Sequence, residues 1–149
     1  MSYRELEPSE VGIDGVDLKA AGNTEYELGE PLDVRQDFIY VLIVKVVNTG
    51  GGSNGDAKLT VDLVSKDKST VLHQVDILTG IDTKTAGTTR EAVKWGVGVT
   101  PVRDGASTLD SDGANLLAVA AFINVRLTVT TQNDGTTSVG SVTLLTERV

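Results

Sequence analysis

From Phe38 the chain reads FIYVLIVKVV, then NTGGGSNGDA, then KLTVDLV. The first run is apolar on both alternating sides. Phe38, Tyr40, Leu42, Val44 and Val46 share one side, and Ile39, Val41, Ile43 and Val47 the other, with Lys45 the one interruption. It is too short to cross a membrane and too rich in β-branched residues to favour a helix, so it predicts a strand covered on both faces. In KLTVDLV, Leu59, Val61 and Leu63 alternate with Lys58, Thr60 and Asp62. That alternation predicts a half-exposed strand, and the Gly/Ser/Asn segment predicts the reversal that pairs the two as a hairpin.

The same patterning extends along the chain. Ser2 to Gly12 has no periodicity and predicts an extended arm. A short strand over Val16 to Ala20 is followed by turn chemistry at Gly22-Asn23 and at Gly29-Glu30-Pro31. Thr70 to Leu78 predicts a strand closed by Gly80, Thr83 to Thr89 a polar turn, and Arg90 to Thr100 another strand around Trp95. Pro101 to Asn115 predicts an exposed loop. ANLLAVAAF has no polar face, and predicts the start of a buried strand or a single helical turn. Val125, Leu127 and Val129 alternate with Arg126, Thr128 and Thr130. Asn133-Asp134-Gly135 then gives a hairpin signal before a last strand at Val142 and Leu144. About eight short strands separated by Gly/Asn/Asp/Ser loops predict an all-β, jelly-roll-like antiparallel β-sandwich. The expected division is an acidic arm over 1–15 and a single sandwich domain over 16–149, with an inserted loop near 101–121.

Composition narrows the function. The 149 residues suffice for one domain with its own core. With no cysteine, disulfides, thiolate metal sites and cysteine nucleophiles are excluded. The polar, acidic opening carries no signal-peptide pattern, so neither leader nor membrane anchor is expected. The formal net charge is −8. It is lopsided: Met1 to Asp37 holds ten acidic and three basic residues, while the remainder is nearly balanced. Such a surface repels a phosphate backbone, and 4% aromatic content is sparse for stacking on single strands.

The candidate chemistry is thin. His73 is the sole histidine, and no motif supplies it with partners for a triad or metal site. Asp110-Ser111-Asp112-Gly113 resembles part of a calcium loop but lacks the closing glutamate, which predicts a plain surface turn. Asp33 with Asp37, and Glu25, Glu27 and Glu30, could be paired carboxylates; without aromatic sugar platforms they read as solvated charge. Gly50-Gly51-Gly52-Ser53-Asn54-Gly55 lacks the Lys-Ser/Thr ending of a phosphate loop. Trp95 is either a core plug or an interface anchor. No enzymatic activity is expected.

Val16-Asp17-Leu18, Leu28-Gly29-Glu30-Pro31-Leu32, the apolar strand Tyr40 to Val46, Ala57-Lys58-Leu59-Thr60-Val61, and the segments Phe122 to Val129 and Val139 to Leu145 occur in a suggestive order. In that order the chain resembles the jelly-roll cement, or decoration, proteins of tailed-bacteriophage capsids, over about two-thirds of its length. The longer acidic arm and the segment Pro101 to Ala121 depart from the pattern. The resemblance implies a non-enzymatic homotrimer without cofactor or metal, made in the host cytoplasm. It would sit on the outer capsid surface of the virion and clamp neighbouring copies of the major capsid protein, touching neither nucleic acid nor membrane. Tyr3, Arg4, Leu6, Leu28, Glu30, Pro31 and Trp95 are the expected capsid or subunit contacts. A phage tail or neck component, and a sandwich that binds a ligand through the Pro101 to Asn115 loop, are the alternatives.

Overall fold

A computed structural model describes residues 3–6, 13–28, 30–33, 38–119 and 122–148. Alternating apolar positions build two antiparallel sheets of six strands each among these residues. The first holds β1 (Tyr3–Leu6), β2 (Val16–Asp17), β5 (Phe38–Asn48), β8 (Gly87–Gly96), β9 (Val99–Asp104) and β12 (Ser138–Arg148), in the order β1-β12-β5-β8-β9, with β2 also on β12. The second holds β3 (Glu25–Glu27), β4 (Leu32–Asp33), β6 (Asp56–Val64), β7 (Val71–Asp82), β10 (Thr108–Leu109) and β11 (Phe122–Thr131), in the order β10-β7-β6-β11-β3, with β4 also on β11. The pairs are nested along the chain: β2 with β12, β3 with β11, β5 with β8, and β6 with β7.

The core lies between the sheets. Leu42, Val44, Val93, Trp95, Val142 and Leu144 come from one inner face, and Leu59, Val61, Ile77, Val125 and Leu127 from the other. Each such side chain contributes about 1.5–3 kcal/mol by leaving water. Trp95 lies directly opposite Tyr40 in the register, and their rings meet at 5.6 Å between centroids.

Several elements differ from the sequence expectation. β5 and β6 belong to different sheets, so the glycine-rich segment between them is an arch across the sandwich and not a hairpin turn. The same holds for Asn133-Asp134-Gly135, which carries the chain from β11 to β12. Alternation fixes which face a residue takes but not which strand it pairs with. A Cβ on Gly135 would stand 1.9 Å from the carbonyl oxygen of Gly51, so these two arches touch backbone to backbone. The strand that starts near Thr70 does not close at Gly80. It runs on to Asp82, and Gly80 takes a positive φ of 72° within a bulged stretch where Ile77 and Leu78 are both buried.

The segment near 101–121 is not a plain loop. It continues β9, adds β10, and forms α1 (Ser111–Leu117). Asp110 caps that helix by accepting a 2.9 Å hydrogen bond from the Gly113 N–H, so Asp110-Ser111-Asp112-Gly113 is a helix start and not a surface turn. ANLLAVAAF supplies the end of α1, and its Ala120 and Ala121 lie outside the described residues. Of the expected arm, Tyr3–Leu6 is a strand paired with β12, while residues 1–2 and 7–12 lie outside the described residues.

Acid should loosen this sandwich in a defined window. In the β6–β7 turn, hydrogen bonds from Ser65 and Ser69 hold the Asp67 carboxyl down at about 2. Burial opposes the charge of Asp76 and Asp82. Thr60 and Lys58 at Asp76, and Thr85 and the Lys84 N–H at Asp82, outweigh it and leave both below the ordinary 3.8. A carboxyl whose folded pKa is depressed stabilises fully above its unfolded value and loses that contribution as pH falls through the folded one. Guanidinium midpoints measured from pH 7 to 2 should therefore fall most steeply between about pH 4 and pH 2. A midpoint unchanged across that window would contradict these carboxylate contacts.

Candidate functional site

The outward side of the first sheet is where this chain departs from an ordinary sandwich exterior. β5 alternates strictly, with Tyr40, Leu42, Val44 and Val46 buried and the residues between them turned away from the core. The outward residues are Ile39, Val41, Ile43, Lys45 and Val47, so the run predicted to be covered on both faces is covered on one. Directly paired residues share a face. On β12, Leu145 stands opposite Val41 and Thr143 opposite Ile43. On β8, Lys94 stands opposite Val41, Ala92 opposite Ile43, and Arg90 opposite Lys45. On β9, Val102 stands opposite Lys94 and Asp104 opposite Ala92.

The result is two outward rows, Leu145–Val41–Lys94–Val102 and Thr143–Ile43–Ala92–Asp104, in which Lys94 stands among the apolar side chains and Lys45 with Arg90 borders them on one side. Val102 is 54% exposed, and all three cations face solvent. A shallow groove of about 290 Å³ runs along Val41, Ala92, Lys94, Val102 and Asp104.

The outward face of the second sheet is different because its charges are consumed internally. Arg126 donates from Nε and Nη2 to the two oxygens of Asp62, at 3.0 and 2.9 Å, and from Nη1 to Glu25 at 3.1 Å. Asp62 is 2% exposed there. Burial works against the Arg126 charge, yet Asp62 and Glu25 outweigh it and push its pKa above the ordinary value. Thr60 and Lys58 similarly engage Asp76. These contacts engage Lys58, Asp62, Asp76 and Arg126 with one another and with their neighbours on this face.

At one end of the sandwich the three arches that change sheets are knotted around Thr83. Its carbonyl accepts from Asn48 Nδ2 at 2.8 Å, from Ser138 Oγ at 3.0 Å and from Asn133 Nδ2. Asp134 receives the N–H groups of Ser53 and Asn54 at 2.7 and 2.9 Å, and these bonds hold its carboxyl below the usual range. In the β9–β10 turn, the buried Glu91 carboxylate receives the Ala106 N–H at 3.0 Å and Ser107 Oγ at 2.8 Å. That contact anchors the turn leading to α1. Buried Asn48, Glu91, Asn133 and Ser138, together with exposed Asp134, hold loops to the scaffold.

The residues singled out from the sequence do not converge. Tyr3, Arg4 and Leu6 lie on β1 at one rim of the first sheet. Glu30 and Pro31 lie between β3 and β4 along the rim of the second, with Gly29 outside the described residues. Leu28 and Trp95, at 4% and 1% exposure, are core residues, so neither side chain is presented to a partner. His73 is exposed on β7, opposite Leu63. Among the described residues no three His, Asp or Glu side chains are grouped to hold a metal. Sequence reasoning passed over Lys45, Arg90, Lys94 and Val102. The available signal was the second apolar side of β5, which was assigned to burial.

No protein-family model matches the chain, and no curated protein matches it significantly. Among solved structures it is similar to a chain of infectious bursal disease virus strain Gx, at 11% identity and a TM-score of 0.54. The match spans 99% of this chain and 32% of that one. A chain from Infectious Bursal Virus-derived T=1 particles aligns at 9% identity and a TM-score of 0.54, over 97% of this chain and 31% of the other. Lectin II from Ulex europaeus aligns at 10% identity and a TM-score of 0.46, over 88% and 86%. The fold is a jelly roll. The nested pairing of strands is its winding, and at these identities the likeness is one of fold. The chain spans about a third of the length of the viral chains it matches.

Proposed function

We propose that this chain is a structural virion protein, a jelly roll without catalytic work of its own that joins a capsid through protein–protein contacts. The observation that carries the reading is the outward apolar and cationic face of the first sheet, on a jelly roll whose whole length aligns with a chain of a virus particle. Exposed apolar side chains set among cations are a surface suited to docking a protein. In its finer form the reading is a cement or decoration protein. Three copies would sit on the outer shell and clamp neighbouring major capsid proteins, gaining avidity from simultaneous contacts.

Shells purified without the protein supply the test. Added protein should sediment with them in saturable amounts and remain in the supernatant alone. Light scattering on the free protein should give the mass of three chains. Failure to sediment with shells of its own virus would overturn the virion role. A monomer that still binds would remove only the preformed trimer.

A further inference from the structure

We infer that the outer face of the first sheet docks an acidic protein surface, one that sets apolar side chains into the Val41–Ala92–Val102 groove and carboxylates against Lys45, Arg90 and Lys94. This deepens the structural reading above and rests on it for where the partner is found. Lys45 and Arg90 stand directly opposite each other across β5 and β8. Side chains in such a pair have Cβ atoms about 5 Å apart, and like charges there repel. The ion pairs of the described residues lie elsewhere, at Lys58, Lys84 and Arg126. Asp104, opposite Ala92, is the one carboxylate on the outward positions of β5, β8 and β9, while Glu147 of β12 and Glu5 of β1 register opposite Ile39 and Leu145, on the side of the face away from Arg90 and Lys94. Asp104 pairs with neither neighbouring cation.

Three cations gathered on one face of a chain with a net charge of −8 match a negatively charged partner. The groove between them selects its class. Val41, Ala92 and Val102 line the groove beside Lys94, Arg103 and Asp104; the aliphatic part offers nothing to a sugar-phosphate backbone, and Asp104 and the net acidic chain repel one. A protein surface that alternates carboxylates with aliphatic side chains satisfies both parts of the face.

Two measurements on the full chain test this separately from the virion role. The first is fluorescence anisotropy with an amidated twelve-residue peptide alternating glutamate and leucine. Its controls are the same peptide with glutamine in place of glutamate, and a twelve-nucleotide oligo-dT. The protein should bind the glutamate peptide saturably and more tightly than either control. The triple variant Lys45→Glu/Arg90→Glu/Lys94→Glu should lose about tenfold in affinity, as three exposed ion pairs warrant. Val102→Ser should weaken binding by a smaller factor. All of these positions point away from the core, so circular dichroism should show both variants folded.

Equal binding of the glutamate and glutamine peptides, equal binding by the triple variant, or tighter binding of oligo-dT would each overturn the inference. So would dimers of the native chain that the triple variant splits into monomers, because the face would then belong to a second copy. The second measurement repeats the shell sedimentation with the triple variant. Native protein that fails to bind shells but binds the glutamate peptide sinks the virion reading alone. Shells that bind native and triple-variant protein equally leave that reading intact and sink this one.

Discussion

Arg126→Ala is expected to lower the free energy of unfolding by about 3–5 kcal/mol, the range found when one member of a buried ion pair is removed. The size follows from what the truncation leaves behind. Asp62 sits at 2% exposure on the outward face of the second sheet, with Arg126 bonded to both of its oxygens. Without the guanidinium, that carboxylate must remain ionised and dry or take up a proton, and both cost stability. Glu25, about half exposed, would simply return to water and adds little. Denaturant titration of the variant should show an earlier midpoint with an unchanged slope. The double variant Asp62→Leu/Arg126→Met should recover most of the loss, because it removes both charges together. A single variant that loses less than about 1 kcal/mol would place the pair among ordinary surface contacts.

Trp95→Ala should cost a similar amount, about 3–5 kcal/mol, as for other large aromatic residues removed from a core. The indole is 1% exposed, stacks on Tyr40, and occupies the inner face where β5 and β8 pair. It is the chain's only tryptophan, so its emission reports unfolding directly in the native protein. The variant needs circular dichroism instead. This experiment also separates the two roles open to that residue from sequence alone. A variant that keeps its stability but loses partner binding would make Trp95 an interface anchor and contradict its position between the sheets.

Much of the fold was legible because a strand's faces are written in its alternation. Leu59 and Val61, and Val125, Leu127 and Val129, are inward as their spacing predicts. The sandwich class follows from repeated short runs of this kind separated by turn residues. Pairing partners were not legible. The chemistry of Asn133-Asp134-Gly135 is as suitable for an arch as for a hairpin, and the difference lies in strands brought together from distant parts of the chain. The α1 helix was hidden for a local reason. Its capping residue, Asp110, stands within a run that also looks like turn or calcium-loop chemistry, and seven residues are too few to show a helical period.

The candidate surface was half legible. The apolar outward residues of β5 were visible, but two apolar sides in one strand fit a doubly covered strand as well as a docking face. Deciding between them needs the neighbours. Lys45 lies on β5 while Arg90 and Lys94 lie on β8, well over thirty residues further along the chain, and only the register shows that they share one face. Conversely, Leu28 and Trp95 looked available because a lone aliphatic or indole gives no hint in sequence of which layer it enters.

The position of β12 has a consequence for how the molecule is made. This strand separates β5 from β1 and β2, and its partners include Tyr3 with Glu147 and Val16 with Gly140. The sheet therefore closes through contacts between residues more than a hundred positions apart, and folding by such non-local pairings takes milliseconds to seconds. Until β12 arrives, β5 presents a long apolar strand with one unpaired hydrogen-bonding rim. In that interval β5 is a template for any other chain's β12, and the balance between solitary folding and strand exchange is set by how concentrated the nascent chains are.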